Sequence, residues 1–233
     1  MTKRLAGALL AVAVAGFGLS TPLLAQEEVR EPKDELGIWL MYFGRNRVAD
    51  RSSIHSELQL RYWELFQNYN QLLIRVGYNF DIDPKNMASA GYTFVYTSPF
   101  EDSGVTTDEH QLWQQYLQRS SLGRVDFEHR FRLEERWILG DATTDFLMRI
   151  RYRIHLNVAL GRPATSPFFL SFYDEVMLSL HGGAFDQNRL YGAFAYALDR
   201  SGSSVQLGYL LNTFSGENRS RLQVAFFFNP DLR

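Results

Sequence analysis

The chain has 233 residues, 24 basic and 26 acidic side chains for a formal charge of −2, and no cysteine. This near-neutral balance gives no sign of a nucleic-acid surface, and the missing thiols exclude a disulfide framework and a thiolate metal site. Aromatic residues make up 15% of the chain and are spread along it, not gathered into one segment.

Residues 1–25 read as a secretory signal peptide. Lys3 and Arg4 form a positive start, Leu5 to Leu19 are apolar, and the small Ala25 precedes a charged stretch that begins at Gln26. Cleavage there leaves about 208 residues, enough for one domain, with 22 basic and 26 acidic side chains. Residues 26–35, charged and containing Pro32, read as a periplasmic lead-in. Beyond the signal no run of about eighteen apolar residues suits a transmembrane helix.

From residue 36 onward the chain alternates. Residues 36–44 form a first candidate strand, ending in the polar stretch 45–53. Over 54–63, Ile54, Ser56, Leu58, Leu60 and Tyr62 oppose His55, Glu57, Gln59, Arg61 and Trp63. Leu72, Ile74, Val76, Tyr78 and Phe80 likewise oppose Gln71, Leu73, Arg75, Gly77 and Asn79, and Pro84 marks the next turn. A strand over 88–98 precedes the acidic stretch 99–108, the best candidate for an extended loop, and a weaker strand covers 109–118. The two clearest segments are Val125 to Trp137 and Phe146 to Asn157. In the first, even positions carry Asp126, Glu128, Arg130, Arg132, Glu134 and Arg136; in the second, odd positions carry Arg149, Arg151, Arg153, His155 and Asn157. Further strands are expected over 168–180, 186–198, 205–213 and 221–228. The gaps 199–204 and 215–220 are rich in Gly, Ser and Asn, as hairpin turns are.

A period of two puts one set of side chains on each face of a strand. The clearest segments run about twelve residues, against roughly five or six for ordinary strands and about nine to eleven for a tilted strand crossing a bilayer. Bulky apolar residues occupy one face of nearly every strand. Aromatics recur near strand ends, at Tyr62, Trp63, Phe80, Phe100, Trp137, Phe168 and Phe228. The fold expected is all-β: an antiparallel transmembrane β-barrel of 10–12 strands over 36–233, in the outer membrane of a Gram-negative bacterium. A soluble periplasmic ligand-binding barrel, with its apolar face inward, is the alternative. About eleven segments can be counted. A barrel with both ends in the periplasm needs an even number, so ten or twelve are expected, with 36–44 and 109–118 the weakest segments.

Several short patterns carry a resemblance. They are Glu57-x-Gln59-x-Arg61, Glu109-His110-x-x-Trp113-Gln114, Arg130-x-Arg132-x-Glu134-x-Arg136 and Arg149-x-Arg151-x-Arg153. Tyr173-Asp174-Glu175, Phe185-Asp186-Gln187-Asn188-Arg189 and Gly208-Tyr209 follow in the same order. Together the chain resembles the bacterial proteins grouped as domain of unknown function 2490, predicted outer-membrane barrels. The resemblance implies a fold and a location but no reaction. One departure stands out: such barrels end on an aromatic residue read by the assembly machinery, and here Phe228 is followed by Asn229 to Arg233. That moves the signal inward, to 222–228.

If the apolar faces meet lipid, the lumen holds Glu57, Gln59, Arg61, Arg75, Glu128, Arg130, Arg132, Glu134, Arg136, Arg149, Arg151, Arg153, Glu175 and Arg189. Guanidinium forks pair bidentately with carboxylates. These residues are therefore expected to form an internal network that fills the barrel, or to line a narrow pore preferring small anions. The alternation leaves open whether Glu134 lies opposite Arg149 or Arg151. No catalytic site is evident. His55 and Ser56 point to opposite faces, His155 and Asn157 share a face with no evident serine partner, and His110 beside Glu109 is the best remaining base for an outer-membrane lipid hydrolase. His129 and Glu135 on the apolar face mark strand ends or an oligomer contact. No metal motif appears, and no cofactor is expected. The partners expected are outer-membrane lipid, the barrel-assembly machinery and small anions.

Overall fold

Eleven segments alternate strongly enough to form strands, and all eleven pair. The structure, a computed structural model, describes residues 35–102, 104–161, 166–198 and 202–233; the expected signal peptide and all but the last residue of the lead-in lie outside them. The strands are β1 Gly37–Ala49, β2 Ser52–Tyr62, β3 Tyr69–Asp81, β4 Asn86–Thr97, β5 Thr107–Leu122 and β6 Val125–Leu139. They continue as β7 Thr144–Ala159, β8 Phe168–Ser179, β9 Phe185–Ala197, β10 Ser204–Phe214 and β11 Glu217–Phe228. Each is antiparallel to its sequence neighbour, and β1 closes the barrel on β11.

The closure corrects the parity expectation. With eleven strands, β1 and β11 run in the same direction and pair in parallel from Gly37↔Arg221 to Gly44↔Phe228. A parallel ladder satisfies backbone N–H and C=O groups as an antiparallel one does, with slanted bonds, so an odd barrel has no free edge. The row of paired residues that starts at Arg47, near the end of β1, passes through Ser53, Asn79, Ser89, Gln115, Arg132, Arg151, Met177 and Gln187. It reaches Phe214 and Glu217 at the opposite ends of their strands. This stagger is what tilts the strands of a closed barrel. Hereafter the end where β1 begins is the lower end.

Several segments are longer than the sequence pattern announced, β1 and β5 among them. β1 runs on through Arg45 to Ala49 because its polar end has partners. Arg45 reaches inward to Asp81 at 2.6 Å, and Asn46 donates to Ser56 Oγ at 3.0 Å. The C-terminal tail pairs with the same strand: Arg47 N–H donates to Pro230 O at 3.0 Å and Leu232 N–H to Arg47 O at 2.9 Å. β5 is sixteen residues long, since Gln111, Gln114, Gln115 and Gln118 fit either face and blur the alternation without breaking the strand.

The faces divide by polarity in the reverse of a soluble protein. Ile74 is 47% exposed and its neighbour Arg75 only 6%. Outward stand Leu58, Phe131, Ile150, Phe172, Leu190 and Leu207, all exposed; inward stand Glu57, Arg132, Glu134, Arg151, Glu175 and Gln223, all buried. Outer aromatics gather at strand ends, where Tyr69 meets both Tyr62 and Tyr96 and Phe168 meets Phe194 and Tyr196. Apolar side chains are buried among the polar ones, with one cluster formed by Trp39, Tyr191, Ala193 and Leu210 and others such as Leu73, Trp113, Leu117 and Met177 apart from it.

Candidate functional site

The interior is built from the inward residues of every strand. Each of the fourteen side chains expected in the lumen lines one of two internal chambers or is buried between them. The lower chamber has a volume of about 290 Å³ and the upper about 640 Å³. Met41, Phe43, Glu57, Arg130, Arg153 and Tyr173 belong to both walls, so the two spaces meet at the level of these residues.

An ion-pair network runs through this level. Glu134, fully buried, accepts from Arg149 Nε at 2.8 Å and Arg151 Nη1 at 2.7 Å, with Arg132 Nη1 at 3.6 Å. In register Glu134 lies opposite Arg149, but the forked Arg151 reaches it from the next inward position. Arg151 also donates to Glu175 at 2.7 Å, and Arg130 pairs with the same carboxylate. On the far wall Arg75 bonds Glu57 at 2.6 Å and Thr93 at 2.7 Å, while Gln59 donates to Glu57 and His55 Nε2 lies 3.2 Å from it. Arg153 and Arg119 share Glu128 at 2.8 and 3.3 Å, and Arg149 also reaches Asp186 at 3.0 Å. A carboxylate flanked by two or three guanidiniums is the arrangement that keeps buried charges tolerable.

Trp113 fills the same level, 1% exposed, against a floor without side chains. Gly77 and Gly91 pair directly across β3 and β4, and a Cβ on either would stand 2.5 Å from the indole. Arg132 lies over this ring at 4.9 Å. On the opposite wall Tyr191 covers Gly208 in the same way.

Several interior residues were not among those expected in the lumen. Glu109 faces inward and pairs with Arg136 (Nη2 to Oε2, 2.9 Å), whereas His110 points outward to Tyr92 OH at 2.5 Å. The two therefore stand on opposite faces and form no joint acid–base site. Arg45, Arg219 and Arg221 also line the interior; the signal for the last two was the alternation Arg219-x-Arg221-x-Gln223. His155, expected to lack a serine partner, has one: its Nε2 lies 2.8 Å from Ser171 Oγ on the neighbouring strand. Only the register between β7 and β8 brings them together. Ser171 is fully buried and lines neither chamber, which makes this pair a packed hydrogen bond without room for a substrate carbonyl. On the outer face His129 Nδ1 lies 2.9 Å from Tyr152 OH. Among the described residues no three His, Asp or Glu side chains are grouped as a metal site.

Compared with known proteins, residues 36–223 match the model of one family, described as protein of unknown function DUF2490. The chain belongs to that family. The match spans β1 to the middle of β11, so it covers nearly the whole barrel and every residue of the network. As a family name, DUF2490 carries a fold-length domain and no reaction. No curated protein and no solved structure matches the chain.

Proposed function

We propose that this DUF2490 protein is an outer-membrane barrel whose lumen is closed by its own ion-pair layer, a non-enzymatic barrel that is silent to ions at rest. One observation carries the reading: the barrel is polar inside and apolar outside. In lipid every backbone polar group must be paired internally, and a closed barrel meets that demand. In water, the outward residues Ile74, Val76, Phe131, Ile150, Phe172, Leu190, Phe194 and Leu207, all exposed, would spread apolar surface around the barrel beyond the few hundred Å² a soluble monomer shows. Strands of eleven to sixteen residues are long enough to cross the hydrocarbon.

The closed lumen separates this reading from an anion-selective pore. Arginine rings select anions when their charge faces an open path. Here the central arginines point at carboxylates: Arg75 at Glu57, Arg132 and Arg149 at Glu134, Arg151 at Glu134 and Glu175. The experiment is planar-bilayer recording of the refolded chain after heat-modifiable gel mobility has shown that it is folded. A folded and silent barrel is expected. Discrete steps with an anion-selective reversal potential in a KCl gradient would make it a pore, and failure to insert without aggregation would return it to the soluble class.

A further inference from the structure

Every arginine of the central layer has a carboxylate; three arginines below it do not. Among the described residues Arg61 donates only to Gln59 Oε1 and Gln71 Oε1, at 2.9 and 2.6 Å. Arg189 donates only to Gln187, at 3.1 Å, and Arg221 to the backbone carbonyls of Glu35 and Ser220, at 3.1 and 2.7 Å. Neutral acceptors satisfy a hydrogen bond but leave the charge uncompensated. Two of the three, Arg61 and Arg221, are 7% and 2% exposed, and a buried charge without a counter-charge is strongly unfavourable.

Two of the three converge on one place. The Arg61 and Arg189 guanidinium carbons lie 4.0 and 5.0 Å from the centre of the same indole, that of Trp39. Arg221 stands opposite Gly37, with its guanidinium carbon 5.7 Å from the Trp63 ring. Trp39 is 4% exposed, and its Nε1–H has no hydrogen-bond partner among the described residues; neither has Arg189 Nε. All four side chains line the lower chamber. The chamber's glutamates are already engaged: Glu57 by Arg75, Glu109 by Arg136 and Glu175 by Arg151. Among the described residues lining the chamber no carboxylate is left over for Arg61, Arg189 and Arg221.

We propose that the lower chamber is a binding site for a small oxyanion of the phosphate class, held by Arg61 and Arg189 with the Trp39 indole N–H as a further donor and Arg221 adding positive charge to the same chamber. Planar guanidinium forks match the oxygen spacing of phosphate bidentately, and paired positive charges favour a dianion over chloride. A chamber of about 290 Å³ is worth roughly ten waters at the ~30 Å³ each takes in the liquid. It therefore holds phosphate, with or without a short organic substituent, together with some of its hydration. The site lies inside the barrel and is independent of whether the barrel sits in a membrane.

The test titrates inorganic phosphate against chloride at matched ionic strength, using the full chain folded in detergent, with folding checked separately by gel mobility. Saturable changes in tryptophan fluorescence and a phosphate-dependent rise in the thermal midpoint are expected. Arg189→Gln should weaken binding about tenfold or more, as loss of a charge-assisted hydrogen bond does. It should also fold, since it removes an unpaired charge. Arg45→Gln, in the upper chamber, should bind as the parent does. Trp39→Phe, which keeps most of the ring and removes the N–H, should also weaken binding, read by calorimetry, and it decides the matter if Arg189→Gln does not fold. No saturable phosphate response in the folded parent, or unchanged affinity in both Arg189→Gln and Trp39→Phe, overturns the proposal.

Discussion

At the residue scale the decisive property is how many partners each buried charge keeps. Glu134 is shared by Arg149, Arg151 and Arg132, whereas Arg149 retains Asp186 and Arg151 retains Glu175 if Glu134 is neutralised. Glu134→Gln keeps the shape and deletes the charge, and is expected to destabilise the barrel by about 3 kcal/mol, the lower part of the range for breaking a buried ion pair. The shift in urea midpoint measures it; a change below about 0.5 kcal/mol, the scale of an ordinary surface substitution, would show that the layer is not held by this carboxylate. The outer face supplies the complementary case. Ile150 is 41% exposed in the middle of β7, between Leu133 and Leu178. Ile150→Arg is expected to cost roughly 2–4 kcal/mol in a bilayer, the value for a cation at the lipid-facing midplane. A neutral result in lipid vesicles would mean that this face meets water.

At the element scale the legibility of the sequence divides sharply. The even positions of β6 and the odd positions of β7 name their inward residues without any pairing information, because a period of two is a property of one strand alone. Which strand residues meet is a property of two, so neither Glu134 between Arg149 and Arg151 nor His155 beside Ser171 could be read from the chain. The flat floor of Gly77 and Gly91 beneath Trp113 was hidden for the same reason: glycine on one strand and indole on another have no sequence relation. The polar run after Gly44 hid the rest of β1, which pairs with Ser52 to His55 of β2 on one side and meets the tail on the other. The tail's share is testable. Removing Asn229 to Arg233 deletes the two backbone bonds between the tail and Arg47, at roughly 0.5–1.5 kcal/mol each, so a loss of about 1–3 kcal/mol is expected in the thermal midpoint; an unchanged midpoint would show that the tail does not complete β1. The tail is fastened by charge through Arg233 and Asp50, and Arg233 also pairs within the tail, with Asp231. Hydrogen bonds from Arg233 hold the Asp231 carboxyl down at about 2, below its usual value of about 3.9. A carboxyl with a depressed folded value contributes above the unfolded value and loses its contribution as pH falls through the folded one. The Asp231–Arg233 contact within the tail should therefore persist from neutral pH to about 4 and be lost only towards pH 2, which the Asp231 carboxyl resonance would report; its loss near pH 5 would contradict the contact.

At the scale of the whole molecule the odd strand number has a consequence that no single strand shows. Because β1 and β11 are parallel, the chain enters the barrel at the lower end and leaves β11 at the upper one, where Arg233 pairs with Asp50 in the β1–β2 turn at 2.5 Å. An even barrel returns both termini to one compartment; an odd one separates them. In a membrane, then, a tag placed just before Gly37 and a tag placed after Arg233 must lie on opposite sides. With the segment before β1 in the periplasm, the C-terminal tail and the turns beside it, 50–51, 82–85 and 123–124, face outward. Antibody labelling of intact cells followed by permeabilised cells is expected to reveal the C-terminal tag first and the N-terminal tag only after permeabilisation. The reverse order would invert the barrel while keeping its closure. Equal accessibility of both tags before permeabilisation, or of neither, would be incompatible with a parallel seam in a membrane-spanning barrel. It would require either an even strand count or a barrel that does not cross the membrane.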